Sequence, residues 1–287
     1  MGIRVTSDTR DPRWVSGSRG QLTRRFTVMA QAPYVVAAAS GPQALDRRET
    51  RRFMVLIGNS IIRNFPHWIE VLLARVRSAL SRAQKMRKNL RLRKRLIALY
   101  KLLERFLRLN RVQERHHWKW WFADWSGAYG LTKQDFEPGK AVTDYAAEML
   151  EQHLEHMMFT APLVEAVASL NLVIESLSAE LSAIVYKGIG TSLSEKAGQW
   201  LKEHAEGDPE HSADAWEFVK RLAAVEGRRF NLVVLRASME VTADLFNLAL
   251  QSGYRLPEHR KPRRPLPIRE EDIALLVGRR RKFTVAM

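Results

Sequence analysis

His204-Ala205-Glu206-Gly207-Asp208-Pro209-Glu210-His211 decides how this chain is read. Histidine, aspartate and histidine recur at intervals of four and three, and side chains at those intervals lie on one face of an α-helix. A strand would send His204 and His211 to opposite faces, so the pattern carries meaning only on a helix. Upstream, Glu114-Arg115-His116-His117 repeats the carboxylate-to-histidine interval of three. The two stretches together predict helices that point nitrogen and oxygen ligands at a common interior.

Pro209 complicates this reading. Proline biases the residue before it away from helical geometry, so Gly207-Asp208-Pro209 is expected to interrupt or kink the helix. Asp208 then has a second role open to it, as an N-cap with proline at the first helical position. Glu114 and His117 have a rival reading as well, a solvated polar face beside Arg111 and Arg115.

The rest of the chain reads as helix from about residue 48. Two amphipathic segments, Phe53 to Asn64 and Pro66 to Ser78, meet at Phe65-Pro66, where proline starts a helix but cannot continue one. A third helix is expected from about Arg82 to Asn110, with Leu92, Leu96, Leu99, Leu102, Leu103 and Phe106 at helical spacing. It can continue through Glu114 and His117 to Tyr129 and stop at Gly130. Thr143 to Met158 and Pro162 to Tyr186 follow, with Gly188 and Gly190 closing the second of these. Ser192 or Ser194 caps a helix reaching Glu206; Glu210 to Glu226 and Arg229 to Gln251 complete the set. No alternating strand pattern or GxGxxG loop competes. The fold class is all-α, with residues 1–47 an irregular basic leader, 48–254 one helical domain, and 255–287 a basic, proline-rich arm carrying a short helix at Glu270 to Val277.

Composition narrows the chemistry. The 287 residues include no cysteine, which excludes disulfides, thiolate metal sites, iron–sulfur clusters and a cysteine nucleophile. A bound metal must take nitrogen and oxygen ligands, a set that suits iron or manganese. The formal net charge of +16 is unevenly spread: residues 1–112 hold 25 Lys and Arg against 6 Asp and Glu, residues 113–254 hold 12 against 21, and the tail 10 against 4. The ligand candidates sit in the acidic section, which helps offset metal charge. The basic run from Arg75 to Arg111 is either a solvated face of a helix pair or a docking surface for an acidic partner.

No run of 18 apolar residues exists, so a membrane span is not expected. Thr23-Arg24-Arg25-Phe26 and the weakly apolar stretch to Ser40 partly resemble a twin-arginine export signal. Phe26 follows the arginine pair directly, however, and Gln31 and Pro33 break the stretch. The leader is therefore read as irregular and the chain as cytoplasmic.

A dinuclear centre in a helical bundle draws on Glu-x-x-His pairs and lone glutamates from facing helices. Glu114, His117, His204, Asp208 and His211 supply five ligands. Glu175, in the apolar stretch Leu172-Val173-Ile174-Glu175-Ser176, is the expected sixth, because a buried carboxylate is costly without a cation beside it. Glu180 is the runner-up for Glu175, and Glu104 for Glu114. Glu148, Glu151, His153, Glu155 and His156 form a second cluster on one helix, read as mostly solvated. The run Trp118, Trp120, Trp121, Phe122 and Trp125 reads as core or pocket wall.

The stretch His204 to Ala213, with its His-x3-Asp-x2-His element, resembles the last metal-binding helix of haem-oxygenase-like diiron oxidases and oxygenases, a family sharing the helical fold of TenA and PqqC. His117-Trp118-Lys119-Trp120-Trp121, leading to Ala128-Tyr129-Gly130-Leu131, is similar to the first histidine helix of that family, and Glu175 stands where it has a mid-sequence glutamate. The resemblance covers roughly residues 53–252. It implies a seven-helix bundle holding two Fe(2+) per chain, with O2 as co-substrate. The implied reactions are N-oxygenation, hydroxylation, desaturation or oxidative carbon–carbon cleavage of an amine, amino acid or fatty acid in secondary metabolism. One departure is that Asn110 stands seven residues before His117, where some members have glutamate.

The partners expected are a small-molecule substrate, free or borne by a carrier protein, and a second copy of the chain as a homodimer; nucleic acid is not expected. The competing reading is a metal-free helical scaffold, or cofactorless relative, that binds an acidic partner through its basic surface. Thiaminase-type hydrolysis lacks its usual cysteine nucleophile here, and no histidine specifically signals haem ligation.

Overall fold

The computed structural model describes residues 13–137, 144–226 and 230–255, without the side chains of residues 13, 207–210 and 226. The C-terminal arm, with the helix expected at Glu270 to Val277, lies outside the described residues, as does the start of the leader. Every regular element among the described residues is helical.

Seven helices between Arg47 and Gly253 form the bundle, preceded by two more. The first two are α1 (Arg13–Ala30) and α2 (Pro33–Ala39), where the sequence was read as irregular. Val15, Ser18, Leu22 and Met29 are buried at intervals that keep one face of α1 against the core. Gly17 and Gly20 hide this periodicity in the sequence. Gly17 lies beside the Arg236 guanidinium, the far end of a flexible side chain, which donates to Ser18 Oγ and to the Trp14 carbonyl. Arg25, one of the arginine pair in the signal-like stretch, makes a bidentate ion pair with Asp244, both distances 2.9 Å. Tertiary contacts thus override weak local propensity across 13–39.

The bundle proper begins with α3 (Arg47–Ile57), capped by Asp46, whose side chain accepts from the Glu49 amide. It runs on through a π-helical turn, Gly58–Ile62. Helix α4 (Phe65–Lys85) has Pro66 in its first turn, as expected. It extends seven residues past Ser78, and the break falls at residues 86–89 rather than before Arg82. There Asn89 adopts φ 54° and its side chain caps the Leu92 amide. Helix α5 (Leu90–Lys119) continues through a π-helical segment, Trp120–Trp125, to Ser126–Ala128, and Gly130 at φ 76° ends it. Helix α6 (Tyr145–Phe159) starts on Asp144.

Helix α7 is assembled from Leu163–Val167, the π-helical Ala168–Ile174 and Glu175–Ile189. It passes through Gly188 instead of ending there. A Cβ on Gly188 would lie 2.1 Å from the Ala38 carbonyl oxygen, so this glycine is the contact point with α2. This helix is long and apolar enough to cross a membrane, but 72% of its most apolar window is buried inside the bundle.

Helix α8 (Glu195–Glu226) starts with Ser194 Oγ accepting the Ala197 amide. It is helical across Gly207-Asp208-Pro209, where an interruption was expected. Asp208 is therefore an interior helix position and not an N-cap. On an unbroken helix, positions 204, 208 and 211 share one face. Helix α9 (Leu232–Gly253) closes the bundle against α6 and α1.

Candidate metal centre

Three helices bring ligand-type side chains together. From α5, Asn110, Glu114 and His117 lie two turns apart on one buried face, with 1, 8 and 6% of their surface exposed. Glu175 comes from α7 and is 3% exposed; His204 comes from α8 and is 5% exposed. The donor atoms of Glu114, His117 and His204 all lie within 4.8 Å of one another. Ligands about 2.0–2.2 Å from one ion fit inside that spread.

Hydrogen bonding sets which atoms remain for a metal. His204 Nδ1 lies 2.7 Å from the Trp200 carbonyl oxygen, which can only accept, so Nδ1 carries the proton and Nε2 presents its lone pair. Burial, reinforced by His117 and His211 nearby, pushes the His204 pKa well below its ordinary value, which keeps the ring neutral. His117 Nδ1 donates to Glu114 Oε1 across 3.0 Å, which fixes the orientation of the ring. The two imidazoles are 4.2 Å apart between ring centroids.

Glu175 anchors a neighbouring pair of contacts. Its Oε1 accepts from Asn110 Nδ2 at 2.5 Å and from Asn171 Nδ2 at 2.9 Å, while its Oε2 lies 3.8 Å from His211 Nδ1. Both asparagine Oδ1 atoms are buried with no hydrogen-bond partner among the described residues. Such orphaned oxygens beside a buried carboxylate are what a cation or its bound water satisfies. The donor set is carboxylate, imidazole and amide oxygen, which fits iron or manganese.

The sequence-derived candidates therefore divide as follows. Glu114, His117 and His204 form one cluster; Glu175 and His211 stand together, with Glu175, Glu114 and His204 lining the same cavity. The Asp208 side chain lies outside the described residues. The solvated-face rival for Glu114 and His117 is overturned, since both are buried. Glu104 forms ion pairs with Arg77 and Arg108, and Glu180 is exposed, so neither substitutes. In the second cluster His153 is buried and bonded to Thr242 Oγ1, correcting its reading as solvated, while Glu151 accepts from Asn64. These contacts lead away from the centre.

Sequence reasoning missed Asn110 and Asn171 as partners of Glu175. The signal for Asn110 was present: positions 110, 114 and 117 follow helical spacing. It also missed Trp200, whose ring stacks on His204 with centroids 4.0 Å apart.

Beyond the ligands the cavity is walled by Phe53, Ile57, Ile61, Phe65, Leu181, Leu250 and the indoles of Trp121, Trp125 and Trp200. Among the described residues, Ser178 also lines it and no Lys or Arg does. The three π-helical turns abut this site: Gly58–Ile62 in its wall, Trp120–Trp125 just after His117, and Ala168–Ile174 just before Glu175. An extra residue per turn rotates the side chains that follow, a common device at functional sites.

Residues 110–244 match a family described as iron-containing redox enzyme, a span that contains all six candidate ligands. A crystal structure of a TenA homologue from Pseudomonas syringae pv. tomato superposes with a TM-score of 0.68. The alignment has 18% identity and covers 88% of this chain and 99% of that one. At that identity the likeness shows the fold alone. No curated protein matches the chain. The buried ligand cluster thus falls within a segment, residues 110–244, that matches the iron-containing redox enzyme family, and the chain has the helical fold of the TenA homologue.

Proposed function

We propose that the chain is a non-haem diiron oxygenase or oxidase that uses O2 to oxidise a small substrate. The observation that carries this reading is the convergence of Glu114, His117 and His204 in a buried site, with Glu175 lining the same cavity. In this reading Glu114, His117 and His204 would hold one Fe(2+), and Glu175, Asp208 and His211 would hold the other. Iron bound there would supply O2 binding and one-electron redox steps.

The chain's own residues prepare the site. The Trp200 carbonyl fixes the His204 tautomer, and Glu114 orients His117. Asn110 and Asn171 hold Glu175 in place. The aliphatic and aromatic wall excludes water and accepts an apolar portion of the substrate. With no Lys or Arg among the described lining residues to pair with a substrate carboxylate, a charged end is expected to project toward the mouth. This favours an alkyl-chain substrate of fatty-acid type over a compact amino acid. With no cysteine in the chain, thiaminase-type hydrolysis on this fold lacks its nucleophile.

A carrier-bound substrate gains support from the α4–α5 tip. Lys85, Arg87, Lys88, Arg91, Lys94 and Arg95 are exposed there, and no acidic residue occurs between Glu70 and Glu104. Arg91, Arg93 and Lys94 occupy the first turns of α5, where the helix dipole disfavours cations, so helix stability does not account for them. An acidic carrier docked at this tip would meet that charge. The reading of the whole site is tested by anaerobic reconstitution with Fe(2+), metal counting, and O2 uptake with alkyl substrates. Two irons per chain and substrate-dependent uptake are expected; a chain that binds no iron refutes it.

A further inference from the structure

Outside the ligands, the most ordered group of oxidisable side chains is a column of indoles that begins on a candidate ligand. Trp200 stacks on His204 at a centroid distance of 4.0 Å and an interplanar angle of 30°. Trp125 stacks on Trp200 at 5.2 Å and 20°. Trp121 meets both edge-on at 4.8 Å. One turn beyond Trp125, the half-buried Tyr129 phenol lies beside the Trp125 indole. It is the point where the column approaches the surface.

Packing alone is a poor account of Trp200. Its Nε1 is buried with no hydrogen-bond partner among the described residues. An unsatisfied buried donor is costly, so a phenylalanine would fill the same layer with less penalty. Indole differs from a benzene ring in another respect, since it gives up one electron far more readily. An indole with no proton acceptor at Nε1 also keeps its proton when oxidised, so the electron vacancy stays mobile and is not trapped as a neutral radical.

We propose that Trp200, Trp125 and Tyr129 form a one-electron relay between the iron site and the protein surface. The proposal rests on the iron reading of the site. An electron leaves Trp200 for the oxidised metal site, Trp125 refills Trp200, and Tyr129 refills Trp125 while releasing its phenolic proton to water. A one-electron reductant of the ascorbate class in solution returns the electron to Tyr129, which regains a proton from water. The sum is one electron moved from the reductant to the site, with no net change in the side chains.

The absence of native cysteine makes the test clean, because Ala128→Cys places a single thiol on an exposed position next to Tyr129. A ruthenium photo-oxidant attached there is flashed in the full-length protein, first without metal and then loaded with Fe(2+). Without metal, a transient tryptophanyl absorption that passes to a tyrosyl one is expected. With Fe(2+), that transient should decay faster and ferric iron should appear by electron paramagnetic resonance. Trp200→Phe should abolish the iron-dependent acceleration. Trp125→Phe, which does not touch His204, should do the same with iron content unchanged. Iron bound at full content with acceleration intact in both variants overturns the relay alone. Failure of the parent protein to bind iron would be seen directly in the metal count, and would overturn the iron reading and the relay with it.

Discussion

Replacing Glu175 by glutamine separates the metal-binding role of this side chain from a structural one. Glutamine keeps the shape and an amide oxygen able to accept from Asn110 and Asn171, so the two hydrogen bonds to Oε1 survive. It removes a charge from a position that is 3% exposed, where an ionised carboxylate is costly without a cation. The metal-free variant should therefore melt no lower than the parent. Metal binding behaves differently. At a free Fe(2+) concentration of about 100 times Kd, binding to the folded state adds ~2.7 kcal/mol. For a chain of this size that is ~5 °C in Tm, at about 2 °C per kcal/mol. If loss of the charge weakens binding ~100-fold, the same concentration adds only ~0.4 kcal/mol, less than about 1 °C. Anaerobic differential scanning fluorimetry of both proteins, with and without Fe(2+), reads the difference. Equal metal-induced shifts in parent and variant would refute the argument. So would a metal-free variant several degrees less stable, which would make Glu175 a structural hydrogen-bond hub.

His204 gives a pH dependence to the metal-free chain. Its folded pKa is depressed by burial, so below the unfolded value of about 6.5 the unfolded state takes up a proton that the folded state does not. Stability should then fall with pH, by ~1.4 kcal/mol between pH 7.5 and 5.5 from this group, and His204→Gln should flatten that slope in denaturant melts. Gly188→Ala should destabilise the fold by ~1–3 kcal/mol, because its Cβ would meet the α2 backbone at Ala38; a neutral result in urea melts would contradict the close α2–α7 contact. Reversing Arg87, Lys88 and Arg91 to glutamate should raise the apparent KM for a carrier-bound substrate at low salt without changing iron content. Exposed charges are screened beyond about 8 Å at physiological ionic strength, so the difference should shrink as salt rises. Equal kinetics of parent and variant would leave the tip as solvated surface.

The helical class, and the helices that carry the candidate ligands, were legible because they depend on local intervals. Glu114 and His117 need only a spacing of three, and a lone glutamate amid Leu172, Val173 and Ile174 marks itself by its cost. What escaped reading was set by tertiary contact. Helix α1 is concealed by Gly17 and Gly20, weak helix formers, and is held in place by its contacts with Arg236 and Asp244. Pro209 signals a break, yet α8 carries on, since loss of one backbone hydrogen bond is small against the packing of a 32-residue helix on its neighbours. Gly188 reads as a helix end but serves a helix crossing. The π-helical turns shift the side-chain register by one position, which a fixed period of 3.6 cannot anticipate, and they lie next to His117 and Glu175. Trp200 and Asn171 stand four residues before His204 and Glu175, so the helical interval was present for both, but an indole and an asparagine are not ligand types and drew no attention.

The account turns on two irons held between α5, α7 and α8. Anomalous diffraction at the iron edge from crystals loaded anaerobically with Fe(2+) tests this most directly. The expected result is two peaks about 3.5–4 Å apart, one beside Glu114, His117 and His204 and one beside Glu175, Asp208 and His211. An empty site at full iron loading, or iron bound elsewhere on the chain, would contradict it.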